Sequence, residues 1–281
     1  MSEKIYKRMY DLTFEAGRIA LKFFNHGKSS LKNDRSVLTQ ADTDISELFR
    51  EGLRDLVQGG DHLIIDEESN DLDDVRDEKL LKQVPYIWGV DPIDGTRMYA
   101  NGMPFFAVSV GVLKDLKPWA GLVYFPVLQE LFGCDGCEAF FIKDPFTADA
   151  KRVVIKEIDQ TISGRSILMC DDAVFRGFEW DYKDCQIMVS GSAAFDLCWP
   201  TISRGAGSVF NASFWDMAGS WPIIERAGMK LRSMRDGRVM NKLDLKFFMD
   251  GSWRVNDFFI VSSEKNFSVL QKKFSVRRNL K

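Results

Sequence analysis

Apolar positions recur at helical spacing over residues 4–26, where Ile5, Met9, Leu12, Ala16, Ile19, Ala20 and Phe23 share one face. The spacing predicts a long amphipathic helix, with Gly27 as its C-cap. A polar loop from Lys28 to Ser36 precedes a second helix, whose stripe is Ile45, Leu48, Phe49, Leu53 and Leu56 and whose stop is Gly59-Gly60. Leu63-Ile64-Ile65 reads as a short strand. From Tyr86 the pattern turns to strands: Tyr86–Asp91, then Phe105–Leu113 and Trp119–Phe125 across a Lys-Asp-Leu-Lys turn. Glu130–Gly133 and Ala139–Ile142 form a further predicted hairpin with Asp135-Gly136 at its turn.

The second half is mixed. Strands are predicted near Ser166–Cys170, Gln186–Ser190 and Phe258–Ser262, with helices over Ser192 to about Arg204 and over Asp216 to Gly228. There are no repeats and no Pro/Ser-rich linkers. A polar stretch near 145–165 divides one domain, residues 1–281, into two lobes of approximately 1–150 and 151–281.

Composition narrows the function classes. With 45% hydrophobic residues the chain buries a substantial core, which excludes wholesale disorder. A net charge of −3 gives no bulk electrostatic reason to bind nucleic acid or an anionic membrane. Five cysteines, an odd number, do not read as a disulfide framework. Cys134-Asp-Gly-Cys137 lacks a second pair and reads as a turn, while Cys170, Cys185 and Cys198 lie in apolar segments. The opening residues lack an uninterrupted apolar segment, and no run approaches the length of a membrane span. The expected setting is cytoplasmic.

The informative chemistry is carboxylate. Trp88-Gly-Val-Asp91-Pro-Ile-Asp94-Gly-Thr96 carries an apolar strand into Asp91; Pro92 is expected to end strand pairing. Asp94-Gly95 then turns the chain so that Thr96 opens a helix. Two carboxylates on one bend are costly in a partly dry place unless a cation lies between them, and hard divalent ions such as Mg²⁺ take oxygen ligands. The amides of Gly95 and Thr96 would face an anion. Alone, Asp-Pro and Asp-Gly are ordinary turn dipeptides. Two more acidic ends join them: Asp66-Glu67-Glu68 after the short strand, and Asp216 at a helix start. Eight acids lie between Asp66 and Glu78, most of them a solvated loop. The only histidines, His26 and His62, fall in helix-end and loop contexts.

These segments resemble the inositol monophosphatase family of Mg²⁺-dependent, lithium-sensitive phosphatases. The family pattern Gly-Glu-Glu, Trp-x-(Val/Ile)-Asp-Pro-(Ile/Leu)-Asp-Gly-Thr and Trp-Asp-x-Ala is met by Asp66-Glu67-Glu68, Trp88–Thr96 and Trp215-Asp-Met-Ala218 in the same order. Thr39-Gln-Ala-Asp42 and Gly191-Ser-Ala-Ala194 resemble two further family segments. The resemblance implies an α+β fold, a layered α-β-α-β-α sandwich, and a homodimer. It implies two to three Mg²⁺ ions: Glu67, Asp91 and the carbonyl of Ile93 on a first, Asp91, Asp94 and Asp216 on a second, and a weaker third near Glu67. It makes the nucleophile a water activated by the ions and oriented by Thr96, with Asp42 holding the Thr96 hydroxyl and Glu68 nearby. Substrate contacts would come from Gly95, Thr96, Gly191, Ser192 and Ala193.

Departures bear on the substrate. Asp66 replaces the family glycine, and Arg97-Met98-Tyr99 replaces an Asn-Phe pair. The stretch from Gly205 to Trp215 is shorter than in inositol-specific members. Asn211 lies nearest the place of a sugar-binding glutamate, so Asn211→Glu should improve inositol phosphate hydrolysis if that position faces the sugar. The expected substrate is an inositol monophosphate. Histidinol phosphate, which the loop Lys32–Thr39 favours, 3′-phosphoadenosine 5′-phosphate and fructose 1,6-bisphosphate are the alternatives. A non-catalytic regulatory protein that keeps the fold and binds a partner is the alternative of another class. Asp171-Asp172 is expected to be a surface turn, Ser192 a helix N-cap, and Lys272-Lys273 with Arg277-Arg278 a solvated tail.

Overall fold

The computed structural model describes residues 2–26, 29–31, 37–69, 72–158, 161–181, 183 and 185–277. Gly27, the centre of the loop at 32–36, and Arg278 lie outside the described residues. The helices Ser2–Phe23 and Gln40–Gln58 open the fold as their apolar stripes require. Between them the expected polar loop is partly paired, with Ser29–Leu31 running antiparallel to Val37–Thr39.

A seven-stranded sheet follows, from the edge strand His62–Asp66 and its neighbour Tyr86–Asp94 to the other edge strand, Lys151–Val154. Its first pair is parallel and the remainder antiparallel. The chain then enters a six-stranded sheet at Ser166–Cys170, where parallel and antiparallel pairs mix. The two opening helices cover one face of the seven-stranded sheet. The helices Ala193–Cys198, Phe214–Ala218 and Trp221–Arg226 lie between the sheets, and Glu264–Lys273 covers the far face of the second. The layers are therefore α-β-α-β-α, as the resemblance implies. Tyr86–Asp94 is buried at every position because it is covered on both faces, so its sequence runs apolar without alternation as far as Val90 before the acids begin. Trp88, Trp221 and Phe49 are fully buried in these layers; each such side chain contributes about 1.5–3 kcal/mol.

One packing device was not legible as a motif. Gly89, Gly111 and Gly121 stand opposite one another on three adjacent strands. A Cβ on Gly111 would lie 2.0 Å from the carbonyl oxygen of Ala218, and one on Gly89 would lie 2.4 Å from the Ala218 Cβ. The glycine track lets the helix Phe214–Ala218 press onto the sheet backbone. That contact carries Asp216 to the end of the strand Tyr86–Asp94.

Several boundaries differ from expectation for local reasons. The strand continues past Pro92 to Asp94, which pairs with Ala107 after an irregularity between Asp91 and Asp94. The helix predicted over Ser192–Arg204 ends at Cys198 and continues as a 3₁₀ turn, Trp199–Ile202, with Pro200 at its start. The helix predicted over Asp216–Gly228 is two short helices parted at Gly219-Ser220, the second opening with Pro222 in its first turn. His62 is no loop residue. It begins the first strand of the sheet, buried, and its Nδ1 accepts the Trp88 indole N–H at 3.0 Å. All five cysteines are free, and Asp135 Oδ1 accepts the amides of Cys137 and Glu138 in the expected turn.

Candidate metal centre and its cleft

Three separate devices bring the acids together. The strand His62–Asp66 pairs in parallel with Tyr86–Asp94, so both end on the same side, and the Glu67 amide donates to the Val90 carbonyl at 3.2 Å. Asp66, which stands in place of the family glycine, does not join the cluster. It is buried, accepts the Ser46 hydroxyl at 2.5 Å and the Glu68 amide at 3.0 Å, and so ties this corner to the second helix. Gly95 then takes a left-handed φ of 82°, and a Cβ there would lie 2.7 Å from the Phe105 carbonyl oxygen; only glycine fits the bend. Asp216 enters from the other half of the chain as the third residue of a capping box, its Oδ2 accepting the Ser213 amide at 2.7 Å.

The result is a group of Glu67, Asp91 and Asp216 in which one carboxylate oxygen from each lies within 4.8 Å of the others. Asp91 is 1% exposed and its Oδ1 has no hydrogen-bond partner among the described residues. Burial first, then the charges of Glu67, Asp94 and Asp216, pushes the Asp91 carboxyl well above its ordinary range. Burial and the Asp216 charge push Asp94 to about 7, against the stabilising Ser192 hydroxyl and the Ala194 and Ala193 amides. Burial likewise raises Asp216, opposed by the Ser213 amide, the Asp91 hydrogen bond and the Arg254 charge. Acids gathered so closely out of water resist ionisation, and a hard divalent cation removes that penalty. The donor set, all oxygen with one orphaned buried carboxylate atom, fits Mg²⁺.

The expected site residues fall into two groups. Glu67, Asp91, Ile93, Asp94, Asp216, Gly95, Thr96, Gly191, Ser192, Ala193 and Asn211 all line one cleft of about 590 Å³. Asp94 and Ser192 are hydrogen-bonded, with the hydroxyl donating to the carboxylate, so Asp94 also joins the two halves of the chain. The Thr96 hydroxyl donates its one proton to the Ile93 carbonyl at 2.9 Å, not to Asp42 as the resemblance implies. Asp42 and Glu68 do not line the cleft. Asp42 is fully buried and caps its own helix, accepting the Thr39 amide at 2.8 Å and the Thr39 hydroxyl at 2.5 Å.

Asn211 sits in the cleft wall with its side chain already committed. Its Nδ2 donates to the carbonyls of Val255 at 3.0 Å and Asp257 at 2.8 Å, and its Oδ1 accepts from Arg254. Arg254, Asp171, Asp172 and Asp196 complete this wall, and sequence reasoning missed Arg254 and Asp196. Asp171 ends the strand Ser166–Cys170 as a fourth acidic strand end, half-buried rather than a plain surface turn. That signal was present; nothing near Arg254 marked it.

The profile of the inositol monophosphatase family matches residues 1–260. The chain belongs to that family. Among its curated relatives, inositol monophosphatase 1 of Solanum lycopersicum is 29% identical over 232 residues, 78% of this chain and 80% of the relative. Inositol monophosphatase 3 of the same plant is 34% identical over 147 residues, 50% of this chain and 54% of the relative, so that match spans about half its length. The Nus factor SuhB of Pasteurella multocida is 28% identical over 222 residues, covering 76% of this chain and 79% of that protein. An inositol monophosphatase/NADP phosphatase solved with NADP and Ca²⁺ superposes with a TM-score of 0.76 at 16% identity, covering 97% of this chain and 95% of that one. Family membership and the shared fold make the acidic cleft, built here from both halves of the chain, the place to seek activity.

Proposed function

We propose that this member of the inositol monophosphatase family is a Mg²⁺-dependent phosphomonoesterase acting on a small phosphorylated metabolite. The observation that carries the reading is the convergence of Glu67, Asp91 and Asp216, with a buried Asp91 oxygen left without a partner. Glu67, Asp91 and the Ile93 carbonyl would hold one ion, and Asp91, Asp94 and Asp216 a second; a weaker third beside Glu67 rests on the family resemblance. Bound there, the ions supply Lewis acidity and a lower pKa for water.

The chain's own residues would then position the reaction. The Gly95 and Thr96 amides and the Gly191-Ser192-Ala193 loop face the ester phosphate from two sides. Thr96 would orient the attacking water; a part for Asp42 and Glu68, which lie outside the cleft lining, rests on the family resemblance alone. As the water oxygen bonds to phosphorus, the ester P–O bond breaks and the leaving alcohol takes up a proton. No phospho-enzyme is needed, which suits a cleft with no Ser–His or Cys–His pair among its lining residues.

Inositol monophosphate is the first substrate to test, followed by histidinol phosphate, 3′-phosphoadenosine 5′-phosphate and fructose 1,6-bisphosphate. The deciding experiment measures phosphate release over that panel with Mg²⁺ and with EDTA. Release that depends on Mg²⁺ and is inhibited by millimolar Li⁺ is the expected result. Absence of release from every substrate would leave the fold to a regulatory, partner-binding role. The resemblance also favours a homodimer, and the free cysteines suit a reducing compartment such as the cytoplasm.

A further inference from the structure

The wall facing the acidic cluster is built around a clamped cation. Arg254 follows Trp253, whose carbonyl accepts the Phe214 amide, and its backbone forms an isolated bridge with Ser213, next to the helix that bears Asp216. Its Nε donates to Asn211 Oδ1 at 2.6 Å and its Nη2 to the Asn211 carbonyl at 2.6 Å. Asn211 is fixed in turn through both of its Nδ2 bonds. One residue therefore holds two edges of the guanidinium, while Nη1 makes no hydrogen bond among the described residues. The side chain lines the cleft and remains 45% exposed.

Arg254 acts on Asp216, and the other acids near it do not cancel its charge. Asp171 Oδ2 stands 4.0 Å from Nη2, a long ion pair, and its Oδ1 is occupied by the Ala173 amide. Asp172 is exposed and pairs with Arg176 at 3.6 Å. Asp196 is buried, and burial holds its carboxyl well above the ordinary range, toward the neutral form. Arg97, which lines the same cleft, is exposed and without an ion pair among the described residues. A planar guanidinium pinned on two sides binds an oxyanion well, because its geometry is set before the ligand arrives. A neutral polyol would gain more from a carboxylate in this place, and here none projects from Asn211.

We propose that Arg254, clamped by Asn211, recognises a second anionic group, phosphate or carboxylate, on the small molecule whose ester phosphate meets the Glu67–Asp91–Asp216 cluster. The inference rests on the phosphatase reading and selects, within it, substrates that carry two anionic ends. A cleft of about 590 Å³ accommodates a metabolite of that size.

The test compares matched pairs of probes with the Mg²⁺-loaded wild type, Arg254→Met and Arg254→Lys. One pair is fructose 1,6-bisphosphate and fructose 1-phosphate; the other is 2-phosphoglycerate and glycerol 2-phosphate. In wild type the doubly anionic member of at least one pair has the lower KM, and the pair that shows it identifies phosphate or carboxylate as the second group. In Arg254→Met the KM ratio within that pair collapses by roughly ten- to a hundredfold, and Arg254→Lys restores part of it. The change lies in KM rather than kcat. A ratio unchanged in Arg254→Met, or a wild type indifferent to the second anion, overturns the proposal. Hydrolysis of the singly anionic members by wild type reports the phosphatase reading separately, so the two cannot fail unnoticed together. Thermal melts of both variants identify a loss that comes from unfolding.

Discussion

The two walls of the cleft were built in different ways. Glu67, Asp91 and Asp94 come from neighbouring parallel strands of one sheet, within a stretch whose turn residues largely dictate its shape. The opposite wall joins Asn211 to Arg254, 43 positions apart, through side-chain and main-chain bonds that no local pattern announces. Chemistry common to a family can be carried by a short rigid bend. Selectivity for one ligand can be assembled from whatever loops the fold brings near it, so the far wall is free to differ while the bend stays the same.

This contrast can be probed from the strongest effect to the weakest. Asp91→Asn should lower Mg²⁺-dependent turnover by roughly 10²–10³-fold or more, while chemical unfolding in EDTA shows no loss of stability, because a buried charge is gone. Near-normal turnover would remove Asp91 from the reaction. Gly111→Ala strikes the far side of the same contact. Its new methyl meets the Ala218 carbonyl, so urea unfolding should show a cost of about 1–3 kcal/mol or more, and half-saturation by Mg²⁺ should rise as Asp216 moves. A variant with unaltered stability and metal response would mean that the glycine track does not set the site.

On the other wall, Asn211→Glu forfeits both donors to Val255 and Asp257 and sets a carboxylate against their carbonyls. The expected cost is roughly 1–2 kcal/mol by denaturant titration, with no gain in inositol phosphate hydrolysis. Improved hydrolysis would restore the sugar-facing role that the sequence alone suggested for this position. The smallest effect concerns the strand that carries the acidic bend. Burial lowers the His62 pKa, and the neutral ring accepts from Trp88 and stacks on Tyr86. The unfolded chain takes up a proton there before the folded one does, so this stability is present above the unfolded pKa and is lost as pH falls. The melting-temperature advantage of wild type over His62→Gln should shrink between about pH 7.5 and 5.5. An advantage that grows on acidification would reverse the assignment.

How far the sequence could be read follows from how local each cause is. The opening helices were legible because their apolar stripes need only one covered face. Thr96 as a helix start was legible because Asp-Gly restricts the backbone before it. The extension through Pro92 was not: an irregular step lets Asp94 pair with Ala107 after the proline's missing donor has been passed. Splitting of the Asp216–Gly228 helix was missed because Gly219 and Ser220 act through a tertiary contact, Gly219 packing against strand backbone, rather than through helix propensity. The role of Asp66 was not legible either, because its bond to Ser46 depends on how the second helix lies on the sheet.

Residue types and spacing alone determined that this chain has acidic ends at a sharp glycine bend, with enough apolar surface to bury them, because those demands are met within a few consecutive residues. Whether Asp216 reaches the bend, which oxygen is left without a partner, and what charge faces the ester were decided only in three dimensions. Each depends on distances between segments remote along the chain, and those are set by how closely a helix can approach a bare strand backbone and where a returning loop is pinned.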